Sequence, residues 1–313
     1  MFAFLYSSLF SSYVYADEPA VSTTIDTGMA SISRANLDAF SGIQYASATL
    51  PLISRYQAQL GGNVLVDNGL QGNISGAVMD SSTGPIALGA VAKYATGQAA
   101  LEGSALPGWR LPDEDLIRDY ADVVVGLGTA VSFANRRYAW GFSGGYYGRT
   151  YVMSSEEGNI FTAWKNRKDE ERIHQFNVGT SVAAKIGDIA VITTGVNDLM
   201  QNSNYTKPFV AMRLASVAQT NSIYENYGGV ELDVEMKANS DEFALGYVGI
   251  AGDVRISQVF VRTGYRYDLG QQQHIPAFGF GLDDGRISLD YGVQLQITES
   301  IVQQHSVGLR FRL

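Results

Sequence analysis

Residues 286–313 alternate between apolar and polar or small side chains almost without a break. From Arg286 to Thr298, Ile287, Leu289, Tyr291, Val293, Leu295 and Ile297 fall on one face, and Arg286, Ser288, Asp290, Gly292, Gln294, Gln296 and Thr298 on the other. In the closing stretch His305–Leu313, Val307, Leu309, Phe311 and Leu313 share one face, with Ser306, Gly308, Arg310 and Arg312 opposite. A period of two specifies a strand with one apolar side. A tilted strand needs about 9–11 residues to cross a bilayer, and the first of these is long enough. Asp283-Asp284-Gly285 ahead of it reads as a tight hairpin turn. An apolar outer face over a small or charged inner face suits a transmembrane β-barrel. An edge strand of a soluble sandwich also alternates, so these two strands leave both architectures open.

The rest of the chain narrows the choice. Alternating runs recur at Tyr56–Val66, Asn73–Asp80, Pro85–Ala95, Ala121–Phe133, Tyr138–Tyr151, Ile173–Ile186, Ile189–Leu199, Pro208–Ala218, Val230–Ala238, Phe243–Ala251, Val254–Leu269 and Ile275–Leu282. With the last two, that predicts about 14 antiparallel strands, an even number, as in bacterial single-chain barrels. Such barrels have short periplasmic turns and longer outer loops. Ser81–Gly84, Asn135-Arg136-Arg137, Gly187-Asp188, Gly252-Asp253 and Asp283-Asp284-Gly285 supply the short connections, and Thr96–Tyr120 and Ser154–Arg172 the long ones. Both termini are then expected in the periplasm of a bacterial outer-membrane protein. Gln219–Gly229 is long for its slot and marks where a strand is most easily miscounted.

The predicted inner faces carry charge. Glu231, Asp233 and Glu235 form an acidic wall; Arg262, Arg266, Arg310 and Arg312 form a basic one. Asp268 and Lys237 also face inward on this reading. These residues are lumen-lining candidates, either functional or paired simply to fill the barrel. The parity of Val254–Leu269 switches partway, which predicts a bulge near Gln258.

The N-terminus departs from this pattern. Residues 1–16 read as a secretory signal ending in Val14-Tyr15-Ala16, although a positive leading region is missing. Residues 17–55 lack alternation and have weak helical spacing from Met29 to Phe40. They are expected to form a hatch or plug inside the barrel spanning 56–313, with Met29, Asn36, Asp38 and Phe40 as its candidate residues; a peripheral extension is the alternative. No stretch approaches 18 uninterrupted apolar residues. The absence of cysteine excludes disulfides and thiolate metal sites, and a net charge of −9 argues against nucleic acid.

Val261-Arg262-Thr263-Gly264-Tyr265-Arg266-Tyr267, Ala277-Phe278-Gly279-Phe280-Gly281-Leu282, Ile287-Ser288-Leu289-Asp290-Tyr291 and His305–Phe311 resemble the C-terminal strands of the FadL/PorV-like outer-membrane proteins. The terminus also resembles the signal by which Gram-negative barrels are recognised for insertion, with Phe311 two residues from the end. The resemblance implies 14 strands and an N-terminal hatch in the lumen. Thr27-Gly28-Met29-Ala30 echoes the family's hatch motif, whereas Tyr45–Pro51 stands where Asn-Pro-Ala is usual. Some members pass fatty acids or aromatic hydrocarbons through the lumen and sideways into the membrane; others serve secretion assemblies.

Catalytic signals are weak. Gly141-Phe142-Ser143-Gly144-Gly145 matches Gly-x-Ser-x-Gly but lies within strand alternation, not on a strand-to-helix turn. His174, His274 and His305 lack zinc spacing. No metal, cofactor or catalytic residue is assigned. Trp109, Phe161 and Trp164 lie in the long connections and are outer-loop candidates for a lid or a protein partner. The expected function is passage of small hydrophobic molecules across the outer membrane, in contact with its lipid. The alternatives are a structural or secretion barrel that binds a protein through its loops, and an outer-membrane hydrolase.

Overall fold

The computed structural model describes residues 24–66, 70–101, 116–153, 170–187, 189–200, 205–215, 227–297 and 301–312. Its strands are β1 Tyr56–Val66, β2 Leu70–Asp80, β3 Ile86–Leu101, β4 Leu116–Phe133, β5 Tyr138–Met153, β6 Glu170–Ile186, β7 Ala190–Asn197, β8 Lys207–Ala215, β9 Tyr227–Ala238, β10 Phe243–Ile256, β11 Val259–Asp268, β12 Gln273–Asp283, β13 Ile287–Ile297 and β14 Ile301–Arg312. Each pairs antiparallel with its sequence neighbours, and β1 pairs with β14 to close a 14-stranded barrel. Closure removes both sheet edges, so backbone N–H and C=O groups are satisfied within the wall.

The wall keeps the alternation. Leu60, Ile74, Leu88, Leu127, Leu214, Leu289 and Val307 stand exposed on the outside, each more than half accessible. Gln59, Ser75, Asp122, Glu231, Asp233, Ser288, Asp290 and Arg310 are buried on the inside. This inverts a water-soluble protein, and a lipid solvent accounts for it. No helix among the described residues is long and apolar enough to cross a membrane. Leu60→Arg, near the middle of β1, tests this directly. In a membrane wall it should lower unfolding stability by about 2–4 kcal/mol, measured by urea titration in lipid vesicles. A water-facing site would shift by less than about 0.5 kcal/mol.

Three sequence expectations need correction. Gly252-Asp253 is not a turn: both residues lie within β10, and the connection to β11 is Ser257-Gln258. The parity switch near Gln258 is therefore this hairpin itself, with Ser257 at φ +58° and the Asp283 N–H donating to Gln258 O at 2.8 Å. The register irregularity falls instead between β9 and β10, at Leu245/Tyr247. The predicted loop at Thr96–Tyr120 is too wide, because β3 runs to Leu101 and β4 starts at Leu116 with the ladder unbroken. Likewise β6 begins at Glu170. Strand ends that leave an apolar solvent lose their apolar face, and with it the signal that alternation provides. Around Gln219–Gly229 no strand is miscounted; β8 ends at Ala215 and β9 starts at Tyr227.

The rim is uneven. β3, β4, β5 and β6 have 16, 18, 16 and 17 residues, whereas β7 and β8 have 8 and 9. β6 pairs with β7 only from Thr180 to Ile186. Among the described residues, the leading half of β6 therefore has no strand partner on β7, which leaves a notch in the described wall beside four long strands.

Candidate functional site: a filled lumen

The described part of the N-terminal segment runs inside the barrel as α1 (Thr24–Gly28), α2 (Gly42–Tyr45) and a 3-10 turn (Ser47–Leu52). Its short elements face small inward residues of the wall. Phe40, Ile43 and Leu50 pack with Met79, Ala87, Val91 and Val124. Ala35, Leu37, Ala48 and Leu52 pack with Ala139, Ala183, Val191 and Ala211. Ile25, Met29, Ile32 and Ala39 meet Tyr247 and Ala251. Glycines allow the closest approaches. A Cβ at Gly292 would lie 2.8 Å from Thr24 O and 2.9 Å from Gly28 N, and one at Gly264 would fall on the Met29 backbone.

Charge sets the segment's position. On β9, Glu231, Asp233 and Glu235 project inward at every second residue, and between them they hold two adjacent segment residues. Glu231 accepts from the Ala35 N–H at 2.7 Å, Asp233 pairs with Arg34 at 3.2 Å, and Glu235 pairs with the other Arg34 nitrogen. The Arg34 guanidinium also lies 4.5 Å from the Phe209 ring centre, 5.4 Å from Tyr247 and 5.7 Å from Tyr45. Arg213, on β8, pairs with Asp253 and stands 3.9 Å from Glu231. Buried charges are tolerated only when compensated in this way.

Asp38 is tied to the other wall. Burial would raise its carboxyl, but the charges of Arg312, Arg55, Arg310 and Arg213 outweigh this and hold it below the ordinary carboxylate range. Arg55 makes the direct contact, at 3.0 Å. The basic residues have their own partners: Arg262 and Arg310 share Asp290, at 2.7 and 3.4 Å, and Arg312 pairs with Asp283 at 2.5 Å. Arg136 fastens the segment where it leaves the lumen, donating to Pro51 O, Ser81 O and Gly84 O at 3.1, 2.8 and 2.8 Å.

The structure thus brings Glu231, Asp233 and Glu235 together around Arg34 and Ala35, and Arg262, Arg310 and Arg312 into a network of ion pairs on Asp290 and Asp283. Arg266 faces inward 5.2 Å from the Tyr247 ring, apart from that network. Met29, Asn36 and Phe40 are buried within the segment, where Asn36 accepts from the Asp38 N–H at 3.0 Å. Trp109, Phe161, Trp164 and the signal at 1–16 lie outside the described residues. Sequence reasoning missed Arg34, Arg213, Asp253 and Asp290 as binding partners. The available signal was Arg34 itself, a lone cation within the apolar and small-residue stretch Met29–Phe40, in a chain predicted to have an acidic inner wall.

Ser143 lies in β5 facing the lumen, whereas the His174, His274 and His305 rings sit on the outer face of the wall. No described serine–histidine pair forms there, and no group of acidic or histidine side chains among the described residues could hold a metal ion.

A small cavity, about 40 Å³, remains above the segment. Gln44 and Tyr45 form its floor, and Val124, Ser143, Tyr147, Gln175 and Asn177 its walls. Tyr146, whose side chain lies on the outer face, also borders it, as does the β6 stretch beside the notch. That volume holds only one or a few waters, at about 30 Å³ each in the liquid.

No protein-family profile matches the sequence, and no curated protein does. Solved structures match it closely in shape. The CymD monoaromatic hydrocarbon channel aligns at a TM-score of 0.61 with 11% identity, covering 95% of this chain and 98% of that one. A FadL homologue from Pseudomonas aeruginosa aligns at 0.59 with 10% identity, covering 93% and 98%. The P. putida toluene transporter TodX aligns at 0.57 with 10% identity, covering 93% and 96%. At such low identity the likeness speaks for the fold alone, the closed barrel that these channels and the FadL homologue also form.

Proposed function

We propose that this barrel sits in the bacterial outer membrane, with its short turns and both termini periplasmic, and passes small hydrophobic molecules rather than ions. The observation that carries the reading is the filled lumen: Arg34, Met29, Ile43 and Phe40 are all buried in it, and the cavity that borders the segment beside the notch is small. A general porin needs an open aqueous bore. A barrel that is closed to water but has a mostly apolar vestibule suits a solute that can leave through the wall into lipid. The β6/β7 notch, bordered by Gln175 and Asn177, is the exit on this reading. The channels of like fold, which carry toluene and other monoaromatic hydrocarbons, support it. Passage requires the N-terminal segment to shift, since the cavity is far smaller than the roughly 300–1,000 Å³ of a ligand pocket.

Purified barrel in lipid vesicles, loaded with labelled toluene or a long-chain fatty acid, tests this. Faster exchange than from protein-free vesicles, with ion conductance at the baseline, is the expected result. A steady porin-like conductance, or no acceleration for either solute, would refute it.

A further inference from the structure

The chain has three histidines, and all three occupy the same local arrangement on the outside of the barrel. The Tyr146 hydroxyl meets His174 Nδ1 at 2.7 Å, Tyr265 meets His274 Nδ1 at 2.6 Å, and Tyr291 meets His305 Nδ1 at 2.7 Å. The register is the same each time. His174 is opposite Gly148, His274 opposite Tyr267 and His305 opposite Val293. In each case the tyrosine is two residues before that opposite position, so the pair spans a diagonal of the ladder. The tyrosines are on β5, β11 and β13. His274 is the second residue of β12, and His174 and His305 are each the fifth of β6 and β14, in the halves of these strands that begin at the end of the barrel opposite the short turns. The pairs occur on both sides of the barrel, with β1–β4 between β14 and β5.

Each pair is left with a hydrogen to donate. If the phenol donates across the pair, imidazole Nε2–H remains; if Nδ1 donates, the phenol O–H remains. At the third pair, Nε2 has a nearby acceptor in Gln303 Oε1, at a long 3.4 Å. A spare donor is costly in hydrocarbon, where nothing accepts it. It is satisfied at the interface, where lipid phosphates offer the strongest acceptors.

We propose that the three Tyr–His pairs are lipid-headgroup sites, each binding the phosphate of a membrane lipid at the loop-end interface and together fixing how deep the barrel sits. The proposal rests on the membrane reading above. Aromatic side chains pack tilted against the pairs: Phe176 lies 5.3 Å from Tyr146, Tyr267 lies 4.8 Å from His274, and Phe280 lies 5.2 Å from Tyr291. They supply the apolar flank that a headgroup site needs where it meets the acyl chains.

Native mass spectrometry of the detergent-folded full chain tests it, with phosphatidylglycerol and a phosphate-free galactolipid as probes. Up to three phosphatidylglycerol molecules should be retained in preference to the galactolipid. The triple variant H174F/H274F/H305F should lose about tenfold in retention per site. The triple glutamine variant, which keeps an N–H donor at each position, should retain the lipid. Equal retention by the wild-type and phenylalanine proteins, or equal retention of both lipids, would overturn the headgroup assignment and leave the membrane reading standing. If no lipid is retained by any variant and no folded band shifts on boiling, both fall.

Discussion

Arg34→Met should turn a sealed barrel into a leaking one. The arginine contacts Asp233, Glu235 and three aromatic rings, so its removal strands two buried carboxylates. Breaking one side of a buried ion pair typically costs about 3–5 kcal/mol. The loss falls on the segment's seat more than on the wall, because β9 stays paired along both edges with β8 and β10. Urea midpoints should fall, and single-channel recordings should show ion-conducting openings absent from the wild type. The triple variant Arg34→Met/Asp233→Asn/Glu235→Gln should recover much of the stability, because replacing a whole buried ion cluster with neutral groups is far less costly than breaking it. If the triple variant is as unstable as the single, the ion pairs are not what seats the segment.

Gly264→Val should expel the segment by sterics alone. The added side chain would occupy the position of the Met29 backbone. Overpacking of this kind costs about 1–3 kcal/mol when something can yield. Here the segment yields, since β11 is locked into two ladders. Arg34 then becomes a trypsin site. In the intact barrel it is only 6% exposed and should resist cleavage; in the variant it should be cut at least tenfold faster as the open population grows. Gly144→Val is the control, because a Cβ there meets nothing within 4 Å. Wild-type cleavage rates for Gly264→Val would mean that the wall, not the segment, moves aside.

Most of the barrel could be read from sequence because lipid on one side and a packed lumen on the other force the alternation. Where both conditions hold, as from Tyr56 to Val66, the predicted and observed limits coincide. Where they fail, the signal is lost. The sequence of the paired ends 97–101 and 116–120 does not alternate cleanly, and at Ser257-Gln258 a two-residue turn imitates a bulge because both reverse parity. The acidic and basic walls were legible for the same reason as the strands. What they hold was not, because contacts such as Arg34 to Asp233 join residues about 200 apart, and periodicity carries no information about which inner charge meets which. The Tyr–His pairs were hidden in the same way, since each depends on the register between strands.

The seam between β1 and β14 joins the two ends of the barrel chain through ten residue pairs, Gln57–Arg312 to Val66–Gln303. Every other ladder joins strands that are neighbours in sequence. The seam therefore closes the longest loop in the wall, and the entropy lost in closing a loop grows with its length. The segment runs directly into β1, so the strand that seals the wall is also the tether that keeps a displaced segment beside the mouth it left.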